Sequence, residues 1–304
     1  MIKSITVTNH VGDSIKLDLA RPELSGFAVT SIQGIGAGTA TINTSEVATN
    51  DGSRFTSARL PQRNIVIDVK FLWKPTIEAV RQQSYKYFPL KKKITLLFET
   101  DNRLAEITGY VESNDPTIFS KDEGTSISIL CPDPYFYAVG PNGTVTTLFS
   151  GIEPRFEFAF HNDSLTKSLL VMSSIENKTE NVIVYDGDAD IGVTVTIHAV
   201  GEASNISIYN TRTREFMRID TNKLRDKIGS EITYGDDIVI CTVKNRKSVT
   251  FMRNGISYNI LNCLDRNSDW FTLTKGDNIF AYTAESGAIN LQFKVEHQIV
   301  YEGV

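Results

Sequence analysis

Along most of this chain apolar and polar residues alternate with a period of two, the pattern of strands that bury one face. In the first half such runs cover residues 2–9, 14–19, 29–33, 65–72, 94–99, 103–112 and 125–131, and Gly12 and Asp13 supply a turn that makes the first two a hairpin. One segment departs from this period. Ile77, Val80, Ser84 and Phe88 share a helical face, Tyr85 and Tyr87 flank it, Thr76 stands at the N-cap position and Pro89 ends the run, which predicts a helix over residues 77–88. Residues 91–140 then close the half with three strands and an exit through Pro132, Asp133 and Pro134, since proline cannot donate to a sheet ladder. Gly140, Pro141, Asn142 and Gly143 read as a linker, which divides the chain into domains 1–140 and 141–304.

Beyond the linker, strand-like runs recur at residues 155–161, 168–173, 181–185, 193–200, 205–209, 215–219, 237–243, 248–253, 278–283 and 288–297. Turn residues separate them, and only residues 222–227 suggest a further short helix. The expected architecture is mainly β: an N-terminal β-sheet domain with one packed helix, followed by a C-terminal antiparallel β-sandwich.

Composition adds little to this picture. At 304 residues the chain can bury a core without disulfides or metals. A net charge of −5 gives no support to nucleic-acid binding, and no run has the apolar length of a signal peptide or membrane span. The expected site of synthesis is therefore a cytoplasm. Cys131, Cys241 and Cys263 all stand in strand-like or apolar contexts, where buried thiols are expected.

Candidate chemistry is sparse. Gly34, Gly36 and Gly38 resemble a phosphate loop, but the Thr39–Thr44 stretch that follows is β-branched and helix-poor where such a loop must open a helix, so a flexible loop between strands is expected. Asp186, Asp188 and Asp190 alternate as in a calcium loop, yet Ile191 and Ile197 stand where such a loop needs glycine and glutamate, so a polar turn is expected. His10, His161, His198 and His297 are scattered, and no nucleophile elbow occurs. No catalytic, cofactor or metal site is expected. Trp270 is weighed between the core, which its neighbours Phe271 and Leu273 favour, and a sugar-stacking surface.

Three stretches, ATINTSEVATNDGSRFTSARLPQRNIVIDVKF, PTIEAVRQQSYKYFPLKKKITLLFETDNR and ITGYVESNDPTIFSKDEGTSISILCPDPYFY, make the first half resemble the distal tail proteins of phages of Gram-positive bacteria. In the second half GDDIVICTVKNRKSVTFMRNGISYNIL, DWFTLTKGDNIFAYTA and the closing YEGV are similar to the same family more loosely. The resemblance implies a structural role in the virion at the tail tip or baseplate, as a hexameric ring of N-terminal domains between the tail-tube protein and the baseplate hub or tail-associated protein. It implies for the C-terminal sandwich a galectin-like or carbohydrate-module-like form at the periphery, docking receptor-binding proteins or touching cell-wall glycan. A carbohydrate-binding module is the alternative reading. The polar loops 34–38, 54–63 and 114–124 make Gly34, Gly36, Gly38, Arg54, Arg59, Arg63, Lys121 and Asp122 the expected ring-interface residues, and Trp270 the expected glycan contact. Tyr135, Phe136 and Tyr137 are expected to wedge between the domains.

Overall fold

The computed structural model describes the chain except residues 47–50, 74–75, 121, 142 and 155–172, and gives backbone alone for residues 150–154 and 173–177. Two compact units emerge, Met1–Gly143 together with Val300–Val304, and Thr144–Ile299. The last five residues, which the sequence assigned to the sandwich, thus return to the first unit. They do so because Val300–Tyr301 forms a strand that pairs antiparallel with Phe136–Ala138.

The first unit contains β1 (Ile2–Thr8), β2 (Ser14–Asp18), β3 (Phe27–Gln33), β4 (Thr41–Glu46), β5 (Ser53–Arg59), β6 (Arg63–Phe71), α1 (Ile77–Tyr87), β7 (Lys93–Thr100), β8 (Leu104–Thr117), β9 (Gly124–Cys131) and β10 (Phe136–Ala138). Its main sheet runs β2-β1-β7-β8-β9-β6-β3, with antiparallel neighbours throughout. Alternation has the expected consequence: Ile65, Ile67, Val69, Leu96, Phe98, Ile127 and Ile129 all point inward and form one core. Asn9 shapes the first hairpin, its Oδ1 accepting from the backbone N–H groups of Val11, Gly12 and Asp13.

Helix α1 packs on β6 and β8 through Val80, Ser84 and the capping residue Phe88, while Thr76 Oγ1 accepts from Ala79 N–H. Side chains from the sheet fasten its last turn. Asn9 Nδ2 donates to Lys86 O, and Asn114 Nδ2 to Ser84 O and Phe88 O, satisfying carbonyls that a helix end leaves open.

Two loop expectations are corrected here. The segment read as an arginine-bearing loop, residues 54–63, is instead strand β5 followed by the start of β6. The connection expected at 114–124 is strand as far as Thr117, even through Pro116. Proline is tolerated there because β7 pairs with β8 only as far as Tyr110, leaving the following residues with one open side.

Arg63 is the most consequential buried polar side chain in this unit. At 6% exposure its guanidinium donates from Nε to Pro134 O (2.6 Å), from Nη1 to Gly34 O (2.7 Å) and Gly36 O, and from Nη2 to Glu302 O (2.7 Å). It also lies over the Phe136 ring, 4.9 Å from the centroid. Burial pushes its pKa down, an effect that Cys131 and Glu302 oppose. Phe136 itself is fully buried and meets Phe98 edge-on at 5.7 Å, so it belongs to this core rather than to a wedge between domains. Arg103 gives the tail a second hold, donating to Gly303 O at 2.9 Å and stacking on Tyr301 at 4.1 Å.

The second unit is a β-sandwich. One sheet orders β11 (Thr144–Leu148), β24 (Leu291–Gln298), β16 (Thr194–Ala199), β19 (Asp237–Cys241), β20 (Ser248–Arg253) and β21 (Ile256–Asn259). The other orders β14 (Glu180–Tyr185), β23 (Gly276–Ser286), β17 (Ser204–Asn210) and β18 (Glu215–Ile219). Tyr282 of β23 stacks on Phe293 of β24 at 3.7 Å, joining the two layers. A two-turn helix, α2 (Thr221–Ile228), starts at the Asp220 cap and stops at Gly229, whose φ of 82° suits glycine. Further short pairs are β12 (Ser150–Pro154) with β13 (Ser173–Asn177), and β15 (Ile191–Gly192) with β22 (Thr272–Leu273). The strand expected at 155–161 and most of that at 168–173 lie outside the described residues.

Asp236 is buried beneath Arg253, which donates to it from Nε at 2.6 Å and again from Nη2. Burial alone would raise this carboxyl, but hydrogen bonds from Arg253 and Thr233 outweigh it and hold it below its usual range. His297 occupies an inward position on β24, edge-on to Tyr185 at 5.6 Å, and neither ring nitrogen meets a hydrogen-bond partner among the described residues. Burial pushes its pKa below the ordinary 6.5, so folding favours the neutral ring.

Two expectations follow. Arg63→Met orphans backbone carbonyls from three chain segments at about 1–3 kcal/mol each, so the first unit should lose about 3 kcal/mol or more in denaturant unfolding. Arg63→Lys should rescue little, because one ammonium cannot replace a planar fork; recovery of full stability by lysine would refute the account. For His297, the unfolded chain takes up its proton near pH 6.5 while the folded unit resists, so stability is intact above that value and declines as pH falls below it. Calorimetry between pH 7.5 and 5.5 should show a smaller loss in melting temperature for His297→Leu than for the parent, and equal losses would sink the assignment.

Candidate functional site

The feature that stands apart in the first unit is the hairpin of β4 and β5. These strands pair only with each other, and every residue in both is exposed. A two-stranded ribbon is marginal in water unless something covers one face. Register shows which face that is. Ile42 sits opposite Ala58 and Thr44 opposite Phe55, with a bulge between, so Ile42, Ala58 and Phe55 share one side of the ribbon. Ile42 and Phe55 are each 61% exposed. Asn43, Ser57, Arg54 and Arg59 project from the other side, where Asn43 Nδ2 donates to Ser57 Oγ at 3.0 Å. The arm is therefore amphipathic, with an apolar face that its own chain leaves bare.

The base of the arm is rigid. Gly34 adopts φ 82°, and a Cβ there would stand 2.0 Å from Asn64 O, so only glycine allows the chain to turn this close to β6. Its carbonyl and that of Gly36 are bound by Arg63. The glycine loop is consequently a fixed foundation for the arm.

The expected interface residues separate into three groups. Arg54 and Arg59 are exposed on the arm, as are Gly34, Gly36 and Gly38 at its root. Arg63, by contrast, is corrected to an internal position: its charge is satisfied by carbonyls of its own unit and it does not reach outward. Asp122 is exposed and pairs with Lys70 at 3.2 Å, while Lys121 lies outside the described residues.

Apolar side chains that the sequence reading passed over are exposed at the opposite end of the same sheet. Trp73, two residues beyond β6, is 80% exposed, and Phe119, in the turn between β8 and β9, is 98% exposed with Ile118 beside it in sequence. Phe119 also has φ 66°, an uncommon conformation for a bulky residue.

Among its described residues the second unit offers no comparable arrangement of chemistry. Trp270 is half-buried, with Lys247 Nζ 5.0 Å from its ring centroid, whereas its neighbours Phe271 and Leu273 are fully buried; the core position favoured for Trp270 is corrected accordingly. Around Asp186 the chain wraps over Tyr185, whose hydroxyl donates to Ala189 O at 2.6 Å, and among the described residues no cluster of His, Cys, Asp or Glu could hold a metal. Cys131 and Cys263 are buried, the former with its pKa pushed up by burial to about 11, while Cys241 is only half-buried because it points outward from β19. His198 Nδ1 and Asp237 Oδ1 lie 2.7 Å apart on the outer face of the six-stranded sheet.

No curated protein matches the chain by sequence. Residues 186–297 match the family model described as siphovirus-type tail component, C-terminal domain. Among solved structures the chain is similar to Dit of phage SPP1, described as a paradigm of the hub adsorption apparatus in phages that infect Gram-positive bacteria: 14% identity, 96% of this chain and 97% of that one covered, TM-score 0.62. A chain of the phage P2 baseplate in its activated conformation with Ca is also similar, at 12% identity, 98% and 99% coverage and TM-score 0.43. Residues 186–297 of the second unit thus resemble the C-terminal domain of siphovirus-type tail components, and the chain throughout shares its fold with the SPP1 distal tail protein Dit.

Proposed function

We propose that this siphovirus-type tail component assembles through its first unit into a hexameric ring that joins the tail tube to the baseplate or tail-tip hub. In this reading the sandwich serves as a docking module for receptor-binding proteins. One observation carries the proposal: the β4–β5 arm presents Ile42, Ala58 and Phe55 on a face that nothing in its own unit covers, so its burial requires another chain. Self-association in a closed cycle buries such a face in every copy without leaving one open end. The likeness in fold to SPP1 Dit, described as a paradigm of the hub adsorption apparatus, lends support.

The glycan-binding alternative finds less support. Its candidate contact, Trp270, is half-buried and already has an ammonium group beside its ring. No second observation favours it.

Purified protein is expected to show six times the 33.8 kDa chain mass in solution and a six-fold ring with a central opening by electron microscopy. The Ile42→Asp, Phe55→Asp double variant should be monomeric with an unchanged circular dichroism spectrum, since both side chains are exposed in the single chain. A strict monomer of the parent protein at micromolar concentration would overturn the ring.

A further inference from the structure

The main sheet of the first unit has two apolar surfaces at opposite ends. Strand β3 ends at Gln33, level with Val66 of β6, and β6 begins at Arg63, so the arm between them leaves from the Arg63 end. At the other end, Lys70 of β6 is level with Gly124 of β9, which is level with Thr117 of β8. Trp73, Ile118 and Phe119 follow immediately beyond this row, which places them around the Phe71 end of the sheet.

The nine residues of β6 separate the two ends by roughly 25–30 Å at about 3.3 Å per residue. The arm strands, of six and seven residues, span only about 20 Å. Within one copy the arm does not cover the patch: Ile42 and Phe55 stay exposed at one end, and Trp73 and Phe119 at the other. Yet the two surfaces suit each other in kind. The arm offers an aliphatic and an aromatic side chain around the small Ala58, and the patch offers two aromatic rings and Ile118. Asp115 and Glu123 flank the patch, and on the arm Arg54 and Arg59 project from the side opposite Ile42 and Phe55, with Glu46 and Asp51 towards the tip. The left-handed backbone at Phe119 is a conformation that bulky residues seldom adopt, and here it accompanies a ring that is almost wholly exposed.

We infer that the Trp73, Ile118 and Phe119 end is the acceptor for the β4–β5 arm of a second copy of this chain. The contact is head-to-tail: each copy gives its arm at one end of the sheet and receives another at the opposite end. It is heterologous and closes into a ring when the rotation per copy divides a full turn. This rests on the ring reading and adds to it the surface on which the arm lands.

Complementation tests the assignment with the full chain. Phe55→Asp disables the donor and Phe119→Asp the acceptor; both residues are exposed, so each variant should keep the parent's circular dichroism spectrum. Each alone should lose the ring and run as a monomer. Mixed in equal amounts, they retain one intact donor on the Phe119→Asp copy and one intact acceptor on the Phe55→Asp copy, and should form a species of twice the chain mass that goes no further. In the parent, Trp73 fluorescence should shift to the blue on assembly, and Trp73→Phe should remove that shift.

Assembly of Phe119→Asp to the parent's mass, with Phe55→Asp monomeric, would overturn the acceptor assignment while leaving the ring intact. A mixture that stays monomeric would overturn it equally. A monomeric parent would instead remove the ring reading itself.

Discussion

The first unit depends on one buried cation. Arg63 opens β6, and its guanidinium collects carbonyl oxygens from the glycine loop at Gly34 and Gly36, from the proline exit at Pro134 and from the C-terminal segment at Glu302. These segments lie far apart in sequence, and the one side chain fixes all of them. A buried charge is tolerated only where its donors are satisfied, and the planar fork of arginine can serve several carbonyls at once. Phe136 beneath it completes the arrangement by covering one face of the guanidinium. Where a carboxylate would give one strong pair, carbonyls from separate segments make the same charge a structural junction.

The junction matters because of what it supports. The glycine loop is the root of the β4–β5 arm, and a ribbon of two strands with a bare apolar face has little stability of its own. Anchoring its root reduces the orientations the arm explores before it meets a partner, and so lowers the ordering cost of association. The Phe71 end of the sheet has a corresponding support in α1, whose last turn is fastened by Asn9 and Asn114. Both ends of the sheet are thus stiffened from within, while the apolar side chains of the arm and of the Trp73 end stay exposed.

Much of this was legible as pattern. Alternation located most strands because each buries one face, and Thr76, Ser84 and Phe88 marked the only helix of the first unit among the described residues. What escaped was anything whose meaning depends on a distant partner. Arg63 stands in a polar run with Gln62 and Asn64 and looks like a surface residue, since the carbonyls that bind it come from elsewhere in the chain. The arm was concealed by its turn at Asp51 and Gly52: Ile42 on one side and Phe55 and Ala58 on the other form a stripe only once the register, with its bulge, is known. His297 was more accessible, because Leu291, Phe293 and Val295 set a period of two on which it falls inward. Phe119 carried no local signal, as an exposed aromatic in a turn has the same sequence as a buried one.

The same junction explains how a second unit is accommodated. The chain leaves the first unit just after β10 and returns at Val300–Tyr301, which pairs with that very strand, Tyr137 opposite Val300. Departure and return are therefore neighbouring points on one ladder, and the intervening 144–299 segment places no separation between them. Arg63 and Arg103 bind the returning tail through its carbonyls at Glu302 and Gly303, contacts that backbone atoms make whatever side chains precede them. An inserted sandwich can then change in sequence without disturbing the sheet, the arm root or the end patch.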